Sequence, residues 1–258
     1  MSIDALRFGS VCSGIEAASV AWETLGWHAA WLAEIEFFPA TVLAHRYPDV
    51  PNLGDMTTIA AHVLAGEVEA PDVLVGGTPC QAFSVAGLRA GLEDMRGQLT
   101  LRYMELANAI DTVRIAAGKQ PCVIVWENVP GVLSDKTNAF GCFLAGLAGE
   151  DDALQPAGKK WTHAGTVSGP QRTIAWRTLD AQYFGLAQRR RRVFLVASAG
   201  EGFDPTEILF ECEGMRRDIA PRRESGQGIA GTISSRATGG GGLGTDFELD
   251  GGLQPVAR

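Results

Sequence analysis

Apolar, β-branched runs alternate along this chain with longer stretches whose apolar residues recur at helical spacing. "LRFGSVC" at 6–12 predicts a strand, and the pattern from about Ile15 to Leu25 predicts a helix stopped by Gly26. "AAWLAEI" at 29–35 predicts a second strand, followed by a helix over "FPATVLAHRY" at 38–47, whose proline suits the first turn. "APDVLVGG" at 70–77 and "PCVIVWENV" at 121–129 are buried-strand runs that bracket a helix over about Gln98–Ala117. "RRVFLVAS" at 191–198 predicts a further strand. Such alternation predicts an α/β fold of Rossmann-like type, a mostly parallel sheet with helices on both faces. Ligands of these sheets bind beyond the carboxyl ends of the strands. The chemically unusual residues collect there: Ser13-Gly14, Glu34, Cys80 and Glu127-Asn128.

With 258 residues, 46% hydrophobic and 20% charged, the chain has ample length for a packed core. No apolar run reaches the roughly 18 residues that a membrane span needs. The five scattered cysteines form no CxxC pair, and the four histidines add no zinc pattern, so no metal is expected. Reduced thiols point to a cytoplasmic protein. The net charge of −8 argues at first against nucleic acid, but it is unevenly spread. Residues 1–150 hold 8 Lys+Arg against 17 Asp+Glu, whereas 159–236 hold 13 against 8, including Arg189-Arg190-Arg191-Arg192. Phosphate binding follows local charge, so nucleic acid stays open as a partner. Residues 224–258 contain 10 glycines in 35 positions and little periodicity. The expected organisation is a catalytic domain over 1–200, then a Gly-rich linker or the start of a target-recognition region over 201–258. Gly239, Gly241 and Gly244 match GxGxxG in form, but they follow no strand and open no helix.

Ser13-Gly14, between a strand and a helix, places backbone N–H groups and a close-approach glycine beside a ligand. Glu34, at the end of the next strand, stands about where Rossmann-like folds hold ribose hydroxyls, and Asp55 could reach an adenine amino group. Cys80 is either a nucleophile or a small buried hydrophobe. A thiol of ordinary pKa is only roughly 3% thiolate at pH 7, so a nucleophile needs help from a helix start or a cation. "GG-T-P-C" at a strand's carboxyl end favours the nucleophile. Glu127, deep at a strand end, is expected to be partly desolvated and therefore to favour a protonated carboxyl.

The ordered set "VCSGIEAAS", "AEIEFFPATVLAHRYP", "GDMTT", "DVLVGGTPCQAFSVAG", "WENVPGVL" and "DAQYFGLAQRRRRVFLVAS" resembles the DNA cytosine-5 methyltransferases, in the form met in phages and prophages. The resemblance covers roughly residues 6–198. It implies that Cys80 attacks carbon 6 of a cytosine, that Glu127 hydrogen-bonds ring nitrogen 3 and the exocyclic amine, and that Arg192 contacts the carbonyl oxygen, with Arg190 supporting a closed loop. It implies S-adenosylmethionine as methyl donor, bound by Cys12, Ser13, Gly14, Ile15, Glu16, Glu34, Ile35, Asp55 and Pro79. Gln81, Ser84, Asn128 and Val129 would meet the extruded base.

Two departures stand out. The family's Phe-x-Gly-x-Gly turn is here Cys12-Ser13-Gly14-Ile15-Glu16, with a thiol for the aromatic and an acid for the second glycine. No recognition domain or closing segment is legible before Arg258. The sequence therefore leads us to expect a fragment, a partner polypeptide that supplies the remainder, or a degenerate form. Transfer RNA as substrate and a non-catalytic binding remnant are the competing readings. A cysteine hydrolase is weaker, since no histidine has a context that nominates it as a base for Cys80.

Overall fold

The computed structural model describes residues 5–78, 95–185 and 188–210, with the side chains of residues 95–98 excluded. Pro79, Cys80, Gln81 and Ser84 therefore lie outside the described residues, as does the expected linker from 211 onward. Strands β1 (Arg7–Val11), β2 (His28–Ala33), β3 (Val73–Gly76), β4 (Val123–Asn128), β5 (Ala164–Ser168), β6 (Thr173–Asp180) and β7 (Arg191–Ser198) form one sheet. Its order is β2-β1-β3-β4-β7-β6-β5. The helices are α1 (Ala17–Trp22), α2 (Phe37–Arg46), α3 (Met56–Leu64), α4 (Met95–Ala116), α5 (Ala139–Ala148) and α6 (Pro205–Leu209).

The α/β fold holds as expected, with its parallel pairing confined to one half. β2, β1, β3 and β4 pair in parallel, whereas β7 pairs antiparallel to β4, β6 to β7, and β5 to β6. The strand order reverses between β1 and β3. Right-handed crossovers then put α1 on one face and α3 and α4 on the other, where Met56, Ile59 and Val63 of α3 share a core with Tyr103, Leu106 and Ile110 of α4. The reversal opens a crevice at the carboxyl ends of β1 and β3, the usual ligand position in such sheets.

Local chemistry explains the element bounds. α4 buries Thr100, Tyr103, Ala107, Ile110 and Arg114, a stripe at three- and four-residue spacing. It ends where Gly118 adopts φ 69° and the N–H of Lys119 bonds the carbonyl of Arg114. α5, "AFGCFLAGLA", is buried almost all round, with only Gly146 partly exposed, and no amphipathic period marked it in the sequence. β5 and β6 were likewise not foreseen, and α6 extends the packed chain past the expected boundary at 200: Arg177 on β6 donates to the carbonyl of Leu209 at 2.9 Å. An aromatic group fills the space under the antiparallel half. Phe140, Trp161 and Trp176 meet pairwise edge-to-face at 5.5–5.7 Å.

One buried ion pair joins the two halves. Arg172, just before β6, directs Nε and Nη2 to Asp111 Oδ2 on α4 at 3.2 and 2.7 Å, and Nη1 to the carbonyl of Leu147 on α5. Asp111 Oδ1 accepts from the N–H of Cys122 at the foot of β4. Removing one member of such a pair strands the other charge in the core. Asp111→Ala should therefore cost about 3–5 kcal/mol and lower the thermal midpoint by roughly 10 °C. Calorimetry checks this, and an unchanged midpoint would contradict the structural role given to the pair.

Candidate active site

Residues 12–16 leave β1 through a tight turn in which Cys12, Gly14 and Glu16 all take positive φ, at 51°, 55° and 68°. Glycine adopts this conformation freely, while the two side-chain-bearing residues pay about 1–2 kcal/mol each. Side chains hold the turn. The Ser13 hydroxyl lies 3.0 Å from the carbonyl of Ser10 and accepts from the N–H of Ala33 at 3.1 Å, so the end of β1 is stapled to the end of β2. Glu16 caps α1 by accepting from the N–H of Ser19 at 2.9 Å. Its side chain is 1% exposed, and burial pushes its pKa up. The Cys12 sulfur points inward to Met56 Sδ at 3.7 Å, and burial, with Glu34 nearby, pushes its thiol up to about 11.

Glu34 follows β2 and ties the strand tips together. Its Oε2 accepts from the N–H of Gly14 at 2.8 Å and its Oε1 from the N–H of Glu36 at 2.8 Å. Asn52 completes the arrangement, with its Oδ1 accepting from the N–H of Glu34 and its Nδ2 donating to the Glu34 carbonyl. Asp55 caps α3 through Thr57 at 2.9 Å. No strand of its own precedes it, only an isolated bridge between Leu32 and Asn52. Ile15 and Ile35 flank this edge, 60% and 71% exposed.

The tips of β3, β4 and β7 make a second cluster. Alternation along β4 sends Trp126 and Asn128 into the core and Glu127 to the opposite face. Glu127 pairs across the sheet with Phe194, so Arg192, two residues before Phe194, lies on the same face. Arg192 Nε donates to Glu127 Oε1 at 2.8 Å. The Glu127 side chain is about one third exposed and faces the Arg192 guanidinium. Gly77 leaves the room, since a Cβ there would stand 3.3 Å from Glu127 Oε2 and 3.1 Å from its carbonyl oxygen. Asn128, only 7% exposed, donates to the carbonyl of Thr78 at 2.7 Å and accepts from the N–H of Val129 at 2.8 Å. Its side chain is occupied inside the protein, contrary to the expectation that it meets the base. Val129 is exposed. Arg190 is also exposed, and its backbone N–H bonds Asp180 Oδ1 at 3.2 Å.

Against known families, residues 6–202 match the one described as C-5 cytosine-specific DNA methylase. The chain belongs to that family. Among curated relatives, a "DNA N-6-adenine-methyltransferase" of Escherichia phage P1 is 61% identical over 253 residues, covering 90% of this chain and 34% of that protein. The type II methyltransferase M.NgoBV of Neisseria gonorrhoeae is 31% identical over 180 residues, covering 68% of this chain and 36% of its own length. This methylase chain thus spans about a third of the length of these relatives. Among solved structures, a Dnmt2 methyltransferase of S. pombe shares the fold with TM-score 0.51 and 16% identity, covering 82% of this chain and 56% of that one.

S-adenosylmethionine is the methyl donor that this family and fold imply. The residues present fit it: Gly14 brings bare backbone to the crevice, Ile15 and Ile35 leave apolar surface beside it, and the Glu34 carboxylate stands at the strand tip between them. The side chains of Cys12, Ser13 and Glu16 turn inward, so any contact these residues make at the crevice falls to their backbone. Thr78, Asn52 and Trp126 were not singled out beforehand, because no sequence period distinguishes them.

The inward thiol gives a direct test. A group with its pKa raised to about 11 stays protonated throughout the neutral range. Iodoacetamide should label Cys12 at pH 7.5 roughly two orders of magnitude more slowly than an ordinary exposed cysteine. Labelling should climb about tenfold per pH unit until the pH approaches 11. Peptide mapping by mass spectrometry reads both, and ordinary reactivity at pH 7.5 would refute the buried setting.

Proposed function

We propose that this chain carries the methyl-transfer centre of a DNA cytosine-5 methyltransferase, with Cys80 as its nucleophile. The observation that carries the reading is the Glu127–Arg192 pair at 2.8 Å, set beside Gly77, which follows β3 and leads in sequence into Thr78-Pro79-Cys80. A carboxyl and a guanidinium side by side at a crevice suit the edge of a pyrimidine, which offers an amine, a ring nitrogen and a carbonyl in a row. In this reading the Cys80 thiolate adds to carbon 6 of an extruded cytosine. Glu127 hydrogen-bonds ring nitrogen 3 and the exocyclic amine, and Arg192 holds the carbonyl oxygen, so the charge that develops on the ring is offset where it appears. Carbon 5, made nucleophilic, accepts the methyl group that S-adenosylmethionine supplies. A base then takes the carbon-5 proton, the electron pair reforms the 5–6 double bond, and the Cys80 thiolate departs. Gln81, Ser84 and Val129 are assigned to the base, and Ile15, Glu34, Ile35, Asp55 and Pro79 to the donor. Base-edge contacts that choose a target sequence are assigned to residues outside the described core, on this or a second polypeptide.

A second reading has a specific support. The phage P1 relative bears the name of an adenine-N6 enzyme, although two thirds of that protein lies outside the match and the family matched over 6–202 is the cytosine-5 one. Duplex DNA and transfer RNA, each incubated with labelled S-adenosylmethionine and digested to nucleosides, separate these readings. The expected product is 5-methylcytosine in DNA, lost by roughly three orders of magnitude or more in Cys80→Ser. Label on adenine N6, label only in transfer RNA, or equal activity in Cys80→Ser would each overturn the proposal.

A further inference from the structure

Thr78 is 1% exposed, yet three polar groups from two other elements converge on it. The indole Nε1 of Trp126 lies 3.0 Å from its hydroxyl, the hydroxyl of Thr100 on α4 lies 3.1 Å from the same oxygen, and the Asn128 amide meets its carbonyl at 2.7 Å. An indole N–H can only donate, so the Thr78 hydroxyl accepts from Trp126 and shares one further proton with Thr100. Each of these groups then has a partner in a site where water does not reach. Trp126 and Thr100 are themselves fully buried, so the frame around Thr78 is part of the packed core.

The position of Thr78 gives this network a consequence. Thr78 stands two residues before Cys80 in the sequence, and its hydroxyl is bonded to Thr100 on α4. The Thr78 carbonyl belongs to the planar peptide group that leads into Pro79. Asn128 holds that carbonyl, is itself held by the Val129 N–H, and is the sequence neighbour of Glu127. Thr78, two residues before Cys80 in the sequence, is therefore tied to the strand tip that carries the carboxyl.

From this we infer that Thr78 is a positioning residue for the nucleophile: its hydroxyl, locked between Trp126 and Thr100, sets the placement of Cys80 relative to Glu127. The inference rests on the reading of Cys80 as nucleophile. Thr78→Val keeps the shape of the side chain but strands the indole N–H and the Thr100 hydroxyl, whereas Thr78→Ser keeps the hydroxyl. A displacement of about 1 Å at a reacting group costs on the order of 100-fold in rate.

The test is single-turnover formation of the covalent adduct between the full chain and a saturating 5-fluorocytosine duplex in the presence of S-adenosylmethionine. Calorimetry of S-adenosylmethionine binding runs alongside. Thr78→Val should form adduct about 10- to 100-fold more slowly, with S-adenosylmethionine affinity within about twofold of wild type. Thr78→Ser should recover most of the rate. Adduct formation by Thr78→Val at the wild-type rate would overturn the inference while leaving the cytosine reading intact. So would loss of rate and of donor binding together in both variants, which marks a general structural role. Absence of any adduct with wild type would instead overturn the reading of Cys80, and the inference with it.

Discussion

The antiparallel pairing of β7 against β4 is the constraint on which the site depends. Four parallel strands end at one edge, and a fifth parallel strand would bring only its own carboxyl end there. Because β7 runs the other way, its first residues arrive at that edge instead, and Arg192 comes with them. The register then decides the partner: Glu127 opposite Phe194 places Arg192 diagonally across on the same face, at bonding distance from the carboxylate. A shift of one residue would turn Arg192 to the other face. The hairpin of β5 and β6, the aromatic group beneath it and the buried Arg172–Asp111 pair all brace β7 in that register.

The two clusters at this edge are built by different means. Around Cys12–Glu16 the backbone itself is bent into a conformation unfavourable for residues with side chains, and the bend persists because Ser13 and Glu34 bond across the ends of β1 and β2 while Glu16 caps α1. The result turns the side chains of Cys12, Ser13 and Glu16 inward and leaves Ile15 exposed, which suits a ligand held by apolar contact. Around Thr78, two residues past the end of β3, the anchoring is done by a buried polar network. Such a network stabilises one arrangement only when all its members are bonded, so it specifies geometry more strictly than apolar packing does. One cluster shapes a cradle. The other anchors Thr78.

Adjacent residues at the end of β4 show how little separates the two roles. Asn128 and Glu127 differ by one position, and the pleat alone sends the first into the core and the second to the crevice. The sequence motif names both as functional. The structure divides them: Asn128 holds the strand tips in place, and Glu127 faces outward with Arg192.

Much of this was legible in the chain itself. The buried runs at 70–77 and 121–129 declared β3 and β4, Gly26 marked the end of the first helical stretch, and the ordered motifs brought the family and the likeness to its fold into view before any coordinates. These features are local: hydrophobic period, backbone freedom and turn chemistry are written within a few residues of each other. What only the tertiary structure decided was nonlocal. α5 carries no amphipathic period because it is buried almost all round. β5 and β6 form a hairpin that joins the sheet only through the pairing of β6 with β7. The inward turn of Glu16 and Cys12, the occupation of Asn128 by Thr78, and the meeting of Glu127 with Arg192 all depend on which strand tips become neighbours. Residue type and spacing along a chain do not encode that adjacency, because it is set by sheet order and register.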